Sequence, residues 1–355
     1  MLTNYSAVAR VGIAMAVAVV IALATTPVAM MLANRLGAID MPGVKGTDSE
    51  RHLHVKPTPR MGGLAIYLGF FFSVILLVSP VGRKVGSMLV GASLIVLLGI
   101  VDDVKDLKAT HKLLVQFVCA GIAVYGGNRI TFFSSLSMVE QDGHINLGLL
   151  SIPVTLIWIV LITNAVNLID GLDGLAAGVS TIAAVSMVVI ALTYSNPTVA
   201  VIMGALAGGC IGFLPYNTTT PAKIFMGDTG STFIGYILAV ASIQGLFKFY
   251  ALISFVIPFF MLGLPIFDIC YAVILRVSHG ESPMKADRKH VHYRLMDMGF
   301  SKKQTVAVLY ICSAILGVTA VAICTTSLTR ALVVFLALVG TGFVAMKLYL
   351  SMRKK

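Results

Sequence analysis

The chain has 355 residues, of which 58% are hydrophobic and only 12% are charged, and its mean hydropathy is +0.94. A soluble domain usually has about a quarter charged residues, so this composition excludes a soluble protein and predicts an all-α polytopic membrane protein. The formal net charge of +11 would suit a nucleic-acid partner in a soluble protein. Here membrane topology and anionic lipid headgroups explain it better, and we expect no nucleic acid.

Apolar runs long enough to cross a bilayer recur throughout the chain, and each crossing needs about 20 residues. From these runs we predict about eleven transmembrane helices. They form a single domain, 1–355, because no linker rich in Pro, Gly or Ser divides the chain. Most of the 26 Lys and Arg residues fall in alternate loops, which predicts an outer N-terminus and a cytoplasmic C-terminus. The predicted spans are residues 8–32, 62–79, 86–101, 112–126, 148–166, 176–194, 197–216, 229–246, 250–276, 304–326 and 329–350.

The polar chemistry concentrates in the predicted cytoplasmic loops. Most of the 15 Asp and Glu residues fall on this side, and only Asp268 lies well inside a predicted span. A cation-coupled transporter, the alternative from another class of protein, would place more acidic groups at mid-membrane. The asymmetry therefore favours an enzyme that acts on a cytoplasmic substrate at the membrane surface. The motif-bearing loops are residues 34–61, 102–112, 164–175, 217–230 and 277–303.

The first of these loops, 34–61, contains most of the sequence RHLHVKPTPRMGG, residues 51–63. Pro57 and Pro59 are expected to hold the chain extended, so that Arg60 and the basic residues before it are presented to a ligand. A loop whose basic residues serve only membrane topology is the alternative. The other basic residues are His52, His54 and Lys56.

Asp102 and Asp103 directly follow an apolar run. Adjacent residues cannot share a helix face, so we expect the two carboxylates to serve different partners, one a metal or phosphate centre and the other a basic group. A solvated helix end is the alternative, but charge at the edge of a membrane span is costly and indicates a functional site.

Residues 164–178 read NAVNLIDGLDGLAAG. Asn164, Asn167 and Asp170 are spaced i, i+3, i+6 along one stripe of a helix, and Asp173 adds a further step at a point where two glycines are expected to open the helix. Amide and carboxylate groups in this arrangement could read a uracil edge, a ribose or the water shell of a metal. Helix capping explains one such residue, but not four.

The run FMGDTGS, residues 225–231, leads directly into an apolar span. Asp228, beside hydroxyls and glycines, is a candidate ligand of a hard cation, because Mg²⁺ takes one or two carboxylates together with substrate phosphates. The positive end of the following helix would help to hold the phosphate. An ordinary helix cap is the alternative.

The last loop contains PMKADRKHVHYRL, residues 283–295. No Cys or Glu completes a zinc set with its two histidines. A cluster of Arg, Lys and His suits a diphosphate better, since Arg offers a planar fork and Lys a point charge. Positive-inside bias is the alternative explanation of the Lys and Arg, but it does not explain the paired His. The cationic members are Lys285, Arg288, Lys289, His290, His292 and Arg294.

Together these motifs resemble the polyprenyl-phosphate N-acetylhexosamine-1-phosphate transferases. The resemblance covers roughly residues 50–300, and the combination of NxxNxxDGLDGLAxG with FMGDxGS is highly specific. PRMGG and HVHYRL resemble the branch that transfers GlcNAc-1-phosphate, whereas the branch that transfers phospho-MurNAc-pentapeptide typically has PTMGG and three histidines. The GlcNAc branch usually reads HxHH, and this chain has Tyr293 in place of the last histidine.

The resemblance implies transfer of GlcNAc-1-phosphate from UDP-GlcNAc to undecaprenyl phosphate, giving undecaprenyl-diphosphate-GlcNAc and UMP. It implies Mg²⁺ as the cofactor, with Mn²⁺ as a substitute, and a multi-pass protein of the bacterial cytoplasmic membrane, a candidate homodimer, whose cleft faces the cytoplasm. The product would enter a cell-envelope pathway such as lipopolysaccharide or teichoic acid biosynthesis. The same chemistry on another UDP-sugar, phospho-MurNAc-pentapeptide transfer, is the alternative.

The resemblance also implies roles for individual residues. Asp228 matches the metal ligand, with Asp103 a second candidate beside the metal, and Asp102 matches the residue that deprotonates or positions the lipid phosphate. Phe225 matches an aromatic residue that stacks on uracil, and Arg60 is a further candidate for substrate binding. The nucleotide site would include Asn164, Asn167, Asp170 and Asp173, and the phosphate or sugar contacts would include His290, His292 and Arg294.

Overall fold

The computed structural model describes residues 6–41, 57–134, 144–245, 258–280 and 290–326, with short stretches at 330, 332–336 and 339–340. Within these residues the protein is almost entirely helical. Most of the predicted span 329–350 lies outside the described residues, and so do the first residues of the predicted span 250–276. Of the basic residues named in the motifs above, those outside the described part of the chain are His52, His54, Lys56, Lys285, Arg288 and Lys289.

The helices of the described residues occupy most of the predicted spans. Two short antiparallel hairpins accompany them, β1 (Ile39–Asp40) with β2 (Thr58–Pro59) and β3 (Phe132–Ser134) with β4 (His144–Asn146). A 3-10 turn, Gly148–Leu150, leads into the fifth helix. The helices are α1 (Ala7–Leu36), α2 (Gly63–Leu77), α3 (Arg83–Lys105), α4 (Ala109–Tyr125), α5 (Ser151–Ile169), α6 (Leu175–Thr193), α7 (Pro197–Asn217), α8 (Gly227–Gly245), α9 (Gly263–Ser278), α10 (Val291–Asp297) and α11 (Lys302–Thr325).

The prediction of an all-α polytopic membrane protein is confirmed. Among the described residues, six helices are long and apolar enough to cross a bilayer, namely α1, α3, α5 with its preceding turn, α6, α7 and α11. The apolar helices α2 and α4 are shorter. Many large apolar side chains on these helices are exposed in the isolated chain, as expected where lipid rather than protein covers them.

Helix α8 lies at the centre of the bundle. Every residue from Thr229 to Gly245 is buried, and α2, α3, α5, α6 and α7 all pack against it. A helix buried on all sides by other helices forms the interior of the bundle. Its first turn carries Asp228, so this carboxylate is placed where several helices end.

Glycines let two neighbouring helices approach the first turn of α8. A Cβ atom on Gly63 of α2 would lie 2.0 Å from the Cα of Gly230, and one on Gly99 of α3 would lie 2.4 Å from the Cα of Thr229. Only glycine allows this contact between backbones. Because Asp103 is one turn beyond Gly99, the close crossing brings the end of α3 onto the start of α8.

The polar motifs lie closer to helices than the predicted loop boundaries indicate. Helix α3 continues through Asp102 and Asp103, and α4 begins at Ala109, so only three residues of the predicted loop 102–112 are outside a helix. Helix α5 ends at Ile169, where the sequence predicted that glycines open the helix. Buried partners for the two aspartates explain why the helix does not stop at the first charge.

Candidate active site

A pocket of about 270 Å³ opens where α3, α5 and α7 end and α8 begins. Segments far apart in the sequence line it, and most of the predicted site residues are among them. Asp102, Asn164, His290, His292 and Arg294 do not line it. The predicted residues that do are Arg60, Asp103, Asn167, Asp170, Asp173, Phe225 and Asp228, and other lining residues include Asp40, Leu172, Asn217, Tyr293 and Lys302.

Lys112 joins two of the predicted catalytic carboxylates. Its ammonium lies 2.7 Å from Oδ2 of Asp228 and also contacts Oδ2 of Asp102. The second oxygen of Asp102 accepts a hydrogen bond from the backbone N–H of Leu107 at 2.7 Å. Asp102 is buried, whereas the side chains of Lys112 and Asp228 are partly exposed. The ammonium therefore balances two carboxylates at the edge of the pocket.

Asp103 has quite different partners. Its Oδ1 accepts from the backbone N–H of Asp228 at 2.9 Å, and its Oδ2 accepts from the backbone N–H and the hydroxyl of Thr229 at 3.1 and 2.6 Å. The two adjacent aspartates thus point to different elements, one to Lys112 and the other to the start of α8. The Lys112 contact agrees with the prediction that one of the two serves a basic group, and the metal or phosphate partner expected for the other stays a prediction.

The stripe from Asn164 to Asp173 divides between two levels. Asn164 exchanges hydrogen bonds with the buried amide of Gln116, at 2.6 and 3.4 Å. It lies one to two helical turns before Asn167 and Asp170 along α5. Asn167, Asp170 and Asp173 line the pocket. Asn167, Asp170 and Asp173 therefore face the pocket, whereas Asn164 joins α5 to α4.

Burial, followed by the neighbouring charges of Asp228, Asp103 and Asp173, raises the pKa of Asp170 to about 8. This carboxyl group at the end of α5 therefore holds its proton near neutral pH when no cation offsets the surrounding negative charge.

Asn217 fixes the turn between α5 and α6. Its Oδ1 accepts from the backbone N–H of Gly174 at 2.7 Å, and its Nδ2 donates to the carbonyl of Ile224 at 3.0 Å. Gly174 has a φ of +81°, in the left-handed region that favours glycine. One amide thus connects the glycine-rich turn to the chain just before Phe225.

The segment around Arg60 pairs with the chain that precedes α8. The N–H of Phe225 donates to the carbonyl of Pro59 at 2.8 Å, and the N–H of Gly62 donates to the carbonyl of Phe225 at 2.9 Å. The Arg60 guanidinium donates to the backbone carbonyl of Asp103 at 3.1 and 3.2 Å and to Oδ1 of Asp106 at 2.5 Å. Arg60 lines the pocket, but these donors hold the end of α3.

The two histidines of the motif lie outside the set of residues that line the pocket. His290 is buried and its Nδ1 lies 2.8 Å from Oδ2 of Asp268, whose Oδ1 accepts from the N–H of Val291 at 2.7 Å. Asp268, the one acidic residue expected well inside a span, therefore holds the start of α10. Arg294 is exposed, and its guanidinium lies 4.8 Å from the ring centroid of Tyr271.

His292 is an electrically neutral side chain in this setting. Burial lowers its pKa to about 4, and within the described residues neither ring nitrogen has a hydrogen-bond partner. The ring lies against Gly171, where a Cβ atom would be 2.3 Å from Nε2, and stands 4.3 Å from the ring of Tyr293. Tyr293, the departure from the usual motif, is the residue of α10 that reaches the pocket.

The donor set suits a metal that is shared with a substrate. In the part of the chain that the structure describes, no group of three or more His, Cys, Asp or Glu side chains could enclose a metal ion. Mg²⁺ commonly keeps its waters and takes one or two carboxylates with substrate phosphates. Asp228 in the acidic pocket fits this mode.

A second cavity of about 550 Å³ adjoins the first, and Asp173, Phe225 and Lys302 line both. Its other walls come from residues 218–222, after α7, and from α11, including Tyr310. The two cavities form a cleft with an acidic end at Asp228 and a larger end beyond Phe225.

Comparison with known proteins identifies the family. The model described as glycosyl transferase family 4 matches residues 85–246, which include the helices from α3 to α8. The chain is also 40% identical over 312 residues to the probable undecaprenyl-phosphate N-acetylglucosaminyl 1-phosphate transferase of Bacillus subtilis (strain 168), covering 88% of this chain and 84% of the relative. The chain belongs to glycosyl transferase family 4.

Two further relatives within family 4 differ in the sugar that their names state. The decaprenyl-phosphate N-acetylglucosaminephosphotransferase of Mycobacterium tuberculosis (strain ATCC 25618 / H37Rv) is 36% identical over 324 residues, 83% of this chain and 77% of the relative. The phospho-N-acetylmuramoyl-pentapeptide-transferase of Clostridium beijerinckii (strain ATCC 51743 / NCIMB 8052) is 30% identical over 277 residues, 75% of this chain and 82% of the relative. The relatives named for N-acetylglucosamine are thus the more similar.

The sequence reasoning missed several residues in or beside this pocket. Lys112 and Asn217 each carried a usable signal, because each is a polar residue at the boundary of an apolar run. Lys302 carried none, since it lies among other polar residues, and Asp40 lies between Ile39 and Met41 with no motif around it.

Proposed function

We propose that this family 4 protein transfers GlcNAc-1-phosphate from UDP-GlcNAc to undecaprenyl phosphate, giving undecaprenyl-diphosphate-GlcNAc and UMP. The observation that carries the proposal is the meeting of Asp102, Lys112 and Asp228 beside an acidic pocket at one end of the helix bundle. The names of the more similar relatives support N-acetylglucosamine as the sugar.

The active site of the proposed enzyme faces the cytoplasm of a bacterial inner membrane, with the N-terminus outside and the C-terminus inside. The distribution of Lys and Arg among the loops supports this orientation. A soluble sugar nucleotide and a lipid phosphate can meet only at a membrane surface, and the pocket lies where the helices end.

The proposed reaction is a direct displacement. An oxygen of the lipid phosphate attacks the β-phosphorus of UDP-GlcNAc, the bond from that phosphorus to the bridging oxygen breaks, and UMP leaves with the bridging oxygen. A phosphate monoester already carries a nucleophilic oxygen near neutral pH, so no strong base is needed. Phosphoryl transfer depends mainly on positioning and charge neutralisation.

The residues around Lys112 position and neutralise the reacting phosphates. Asp102 orients the lipid phosphate and takes its proton where one is present, and the Lys112 ammonium balances negative charge at the same place. Asp228 would hold Mg²⁺ together with the diphosphate, and the ion would supply charge neutralisation there.

The nucleotide half of the donor occupies the cleft on the other side of Asp228. Asn167, Asp170 and Asp173 offer amide and carboxyl groups to the ribose and base, and Phe225 offers an aromatic face for the uracil. The two adjoining cavities, which meet at Asp173 and Phe225, support a ligand longer than a single phosphate group.

A panel of UDP-sugars tests the proposal. Purified protein with undecaprenyl phosphate and Mg²⁺ should release UMP from UDP-GlcNAc faster than from UDP-GalNAc or UDP-MurNAc-pentapeptide. Asp228→Asn should abolish release while the protein remains folded, because the cation loses its carboxylate. Faster release from the pentapeptide donor would replace the proposed sugar, and full activity of Asp228→Asn would remove the metal assignment.

A further inference from the structure

The first turn of α8 receives its hydrogen-bond acceptors from another helix. The first N–H groups of any helix have no partner within the helix. Here the N–H groups of Asp228 and Thr229 both donate to the carboxylate of Asp103 on α3, and the Thr229 hydroxyl donates to it as well. A negative carboxylate at the positive end of a helix is stabilising, so Asp103 acts as an N-cap supplied by a different helix.

The fit around this carboxylate is close. Gly227 has a φ of +72°, and a Cβ atom there would lie 2.5 Å from Oδ2 of Asp103. Asp103 is only 3% exposed. Glycine at position 227 therefore leaves the space that the carboxylate occupies at the start of α8.

The backbone of Asp103 is also held. Arg60 donates two hydrogen bonds to its carbonyl oxygen and a third to Asp106 at the end of α3. The residue is thus fixed on one side by Arg60 and on the other by α8. A carboxylate accepts about four hydrogen bonds, and three of these positions already serve Asp228 and Thr229.

We propose that Asp103 is a positioning residue that fixes the first turn of α8, and with it the carboxylate of Asp228, and that it is not a metal ligand. A metal bound through Asp103 would compete with the donors that hold α8 in place. This assignment replaces the role that the sequence resemblance implies for Asp103. It rests on the proposed function for its turnover measurement and on the proposed metal at Asp228 for its Mn²⁺ measurement, whereas the stability measurements need neither.

The experiment compares Asp103→Asn with Asp228→Asn in metal-free protein and with Mn²⁺ alone. Asp103→Asn should lower the thermal unfolding midpoint in EDTA by about 2–4 °C, because a charged cap is lost. Its Mn²⁺ affinity, measured by electron paramagnetic resonance, should fall by about 10- to 100-fold at most, the scale for a residue that only supports a metal ligand, whereas Asp228→Asn should lose Mn²⁺ binding. Loss of Mn²⁺ binding in Asp103→Asn, or an unchanged unfolding midpoint, would overturn the proposal.

Thr229→Val provides a second, nearly isosteric variant that removes one donor and keeps both carboxylates. It should lower the metal-free unfolding midpoint without changing Mn²⁺ affinity. The double variant with Asp103→Asn should be less destabilised than the sum of the two, since both act on one contact. Additive effects, or a Thr229→Val midpoint equal to that of the parent, would contradict the cap.

Turnover separates positioning from a purely structural role. Well below the unfolding midpoint, Asp103→Asn should lower kcat for UMP release by about 10- to 100-fold with little change in KM for the sugar nucleotide, and Asp103→Glu should recover part of it. An unchanged kcat would leave no positioning role. If the parent releases no UMP, the proposed function fails, while the stability and Mn²⁺ measurements still decide the role of Asp103.

Discussion

Lys112 lies beside the pocket and joins two of its predicted catalytic carboxylates, because its ammonium contacts both Asp102 and Asp228. Lys112→Met should lower kcat for UMP release by about 100-fold, the scale seen when one stabilising donor is removed from an active site. Lys112→Arg should retain more activity, since it keeps the charge but changes its geometry. Steady-state kinetics with UDP-GlcNAc measure both.

Lys105→Met is the matched control, because Lys105 is an exposed lysine at the end of α3 close to the same aspartates. It should keep nearly full activity. Equal losses in the two variants would mean that the pocket responds to general positive charge rather than to the Lys112 contact.

His292 makes stability depend on pH. Its pKa is about 4 in the folded protein, lowered by burial, and about 6.5 in an unfolded chain. Between these values the unfolded state binds more protons than the folded state. The contribution of His292 to the free energy of unfolding is therefore fully present above pH 6.5 and is lost as the pH drops towards 4. The unfolding midpoint of His292→Phe in detergent should therefore fall less between pH 7 and pH 5 than that of the parent. Parallel falls would contradict the buried, neutral His292.

Individual residues show how far a sequence can specify this site. Asp228 and Phe225 could be predicted because they form a compact motif at the start of an apolar run. The partners of Asp103 could not be, because the cap joins residues more than 120 positions apart. Nor could the sequence separate Asn164 from Asn167, since only the position of Gln116 on α4 draws the first into the bundle.

At the level of elements, the turn between α5 and α6 is packed against α11. A Cβ atom on Gly178 would lie 2.0 Å from the Tyr310 ring, whose hydroxyl donates to the carbonyl of Gly174 at 2.6 Å. Gly178→Ala should therefore displace Tyr310, lower the unfolding midpoint and weaken sugar-nucleotide binding, since overpacking costs about 1–3 kcal/mol. Differential scanning fluorimetry and KM measurements test both effects.

Gly121→Ala is the control for this change, because a Cβ atom on Gly121 in α4 would meet nothing within 4 Å. It should be neutral or slightly stabilising, as alanine favours a helix. Adding Tyr310→Leu to Gly178→Ala should restore part of the stability. A Gly178→Ala protein as stable as the Gly121→Ala protein would show that the ring moves freely.

Hydropathy predicted the helices well where a long apolar run ends at glycines, as it does after α5. It does not place the end of α3, because the apolar run stops at Asp102 whereas the helix continues to Lys105. The αL conformation of Asp106, with a φ of 48°, ends α3 instead. Burial of Asp102 and Asp103 against Lys112 and α8 compensates for placing charge in the last turn.

The whole molecule has an orientation that cysteine labelling can measure. Ser195 lies in the turn between α6 and α7, and Thr220 lies beside the second cavity at the other end of α7; both are exposed. A membrane-impermeant maleimide should label Ser195→Cys in intact spheroplasts and Thr220→Cys only in inverted vesicles. Labelling of the parent gives the background of its native cysteines, and the reverse pattern would contradict the cytoplasmic site.

The central claim is that the sugar and one phosphate move together to the lipid. The direct measurement uses UDP-GlcNAc labelled with ³²P separately at the α- and the β-phosphate, incubated with purified protein, Mg²⁺ and undecaprenyl phosphate. The account predicts that the β-phosphate enters the lipid fraction with the sugar while the α-phosphate remains in UMP. Transfer of the sugar without either phosphate, or release of UDP, would contradict it.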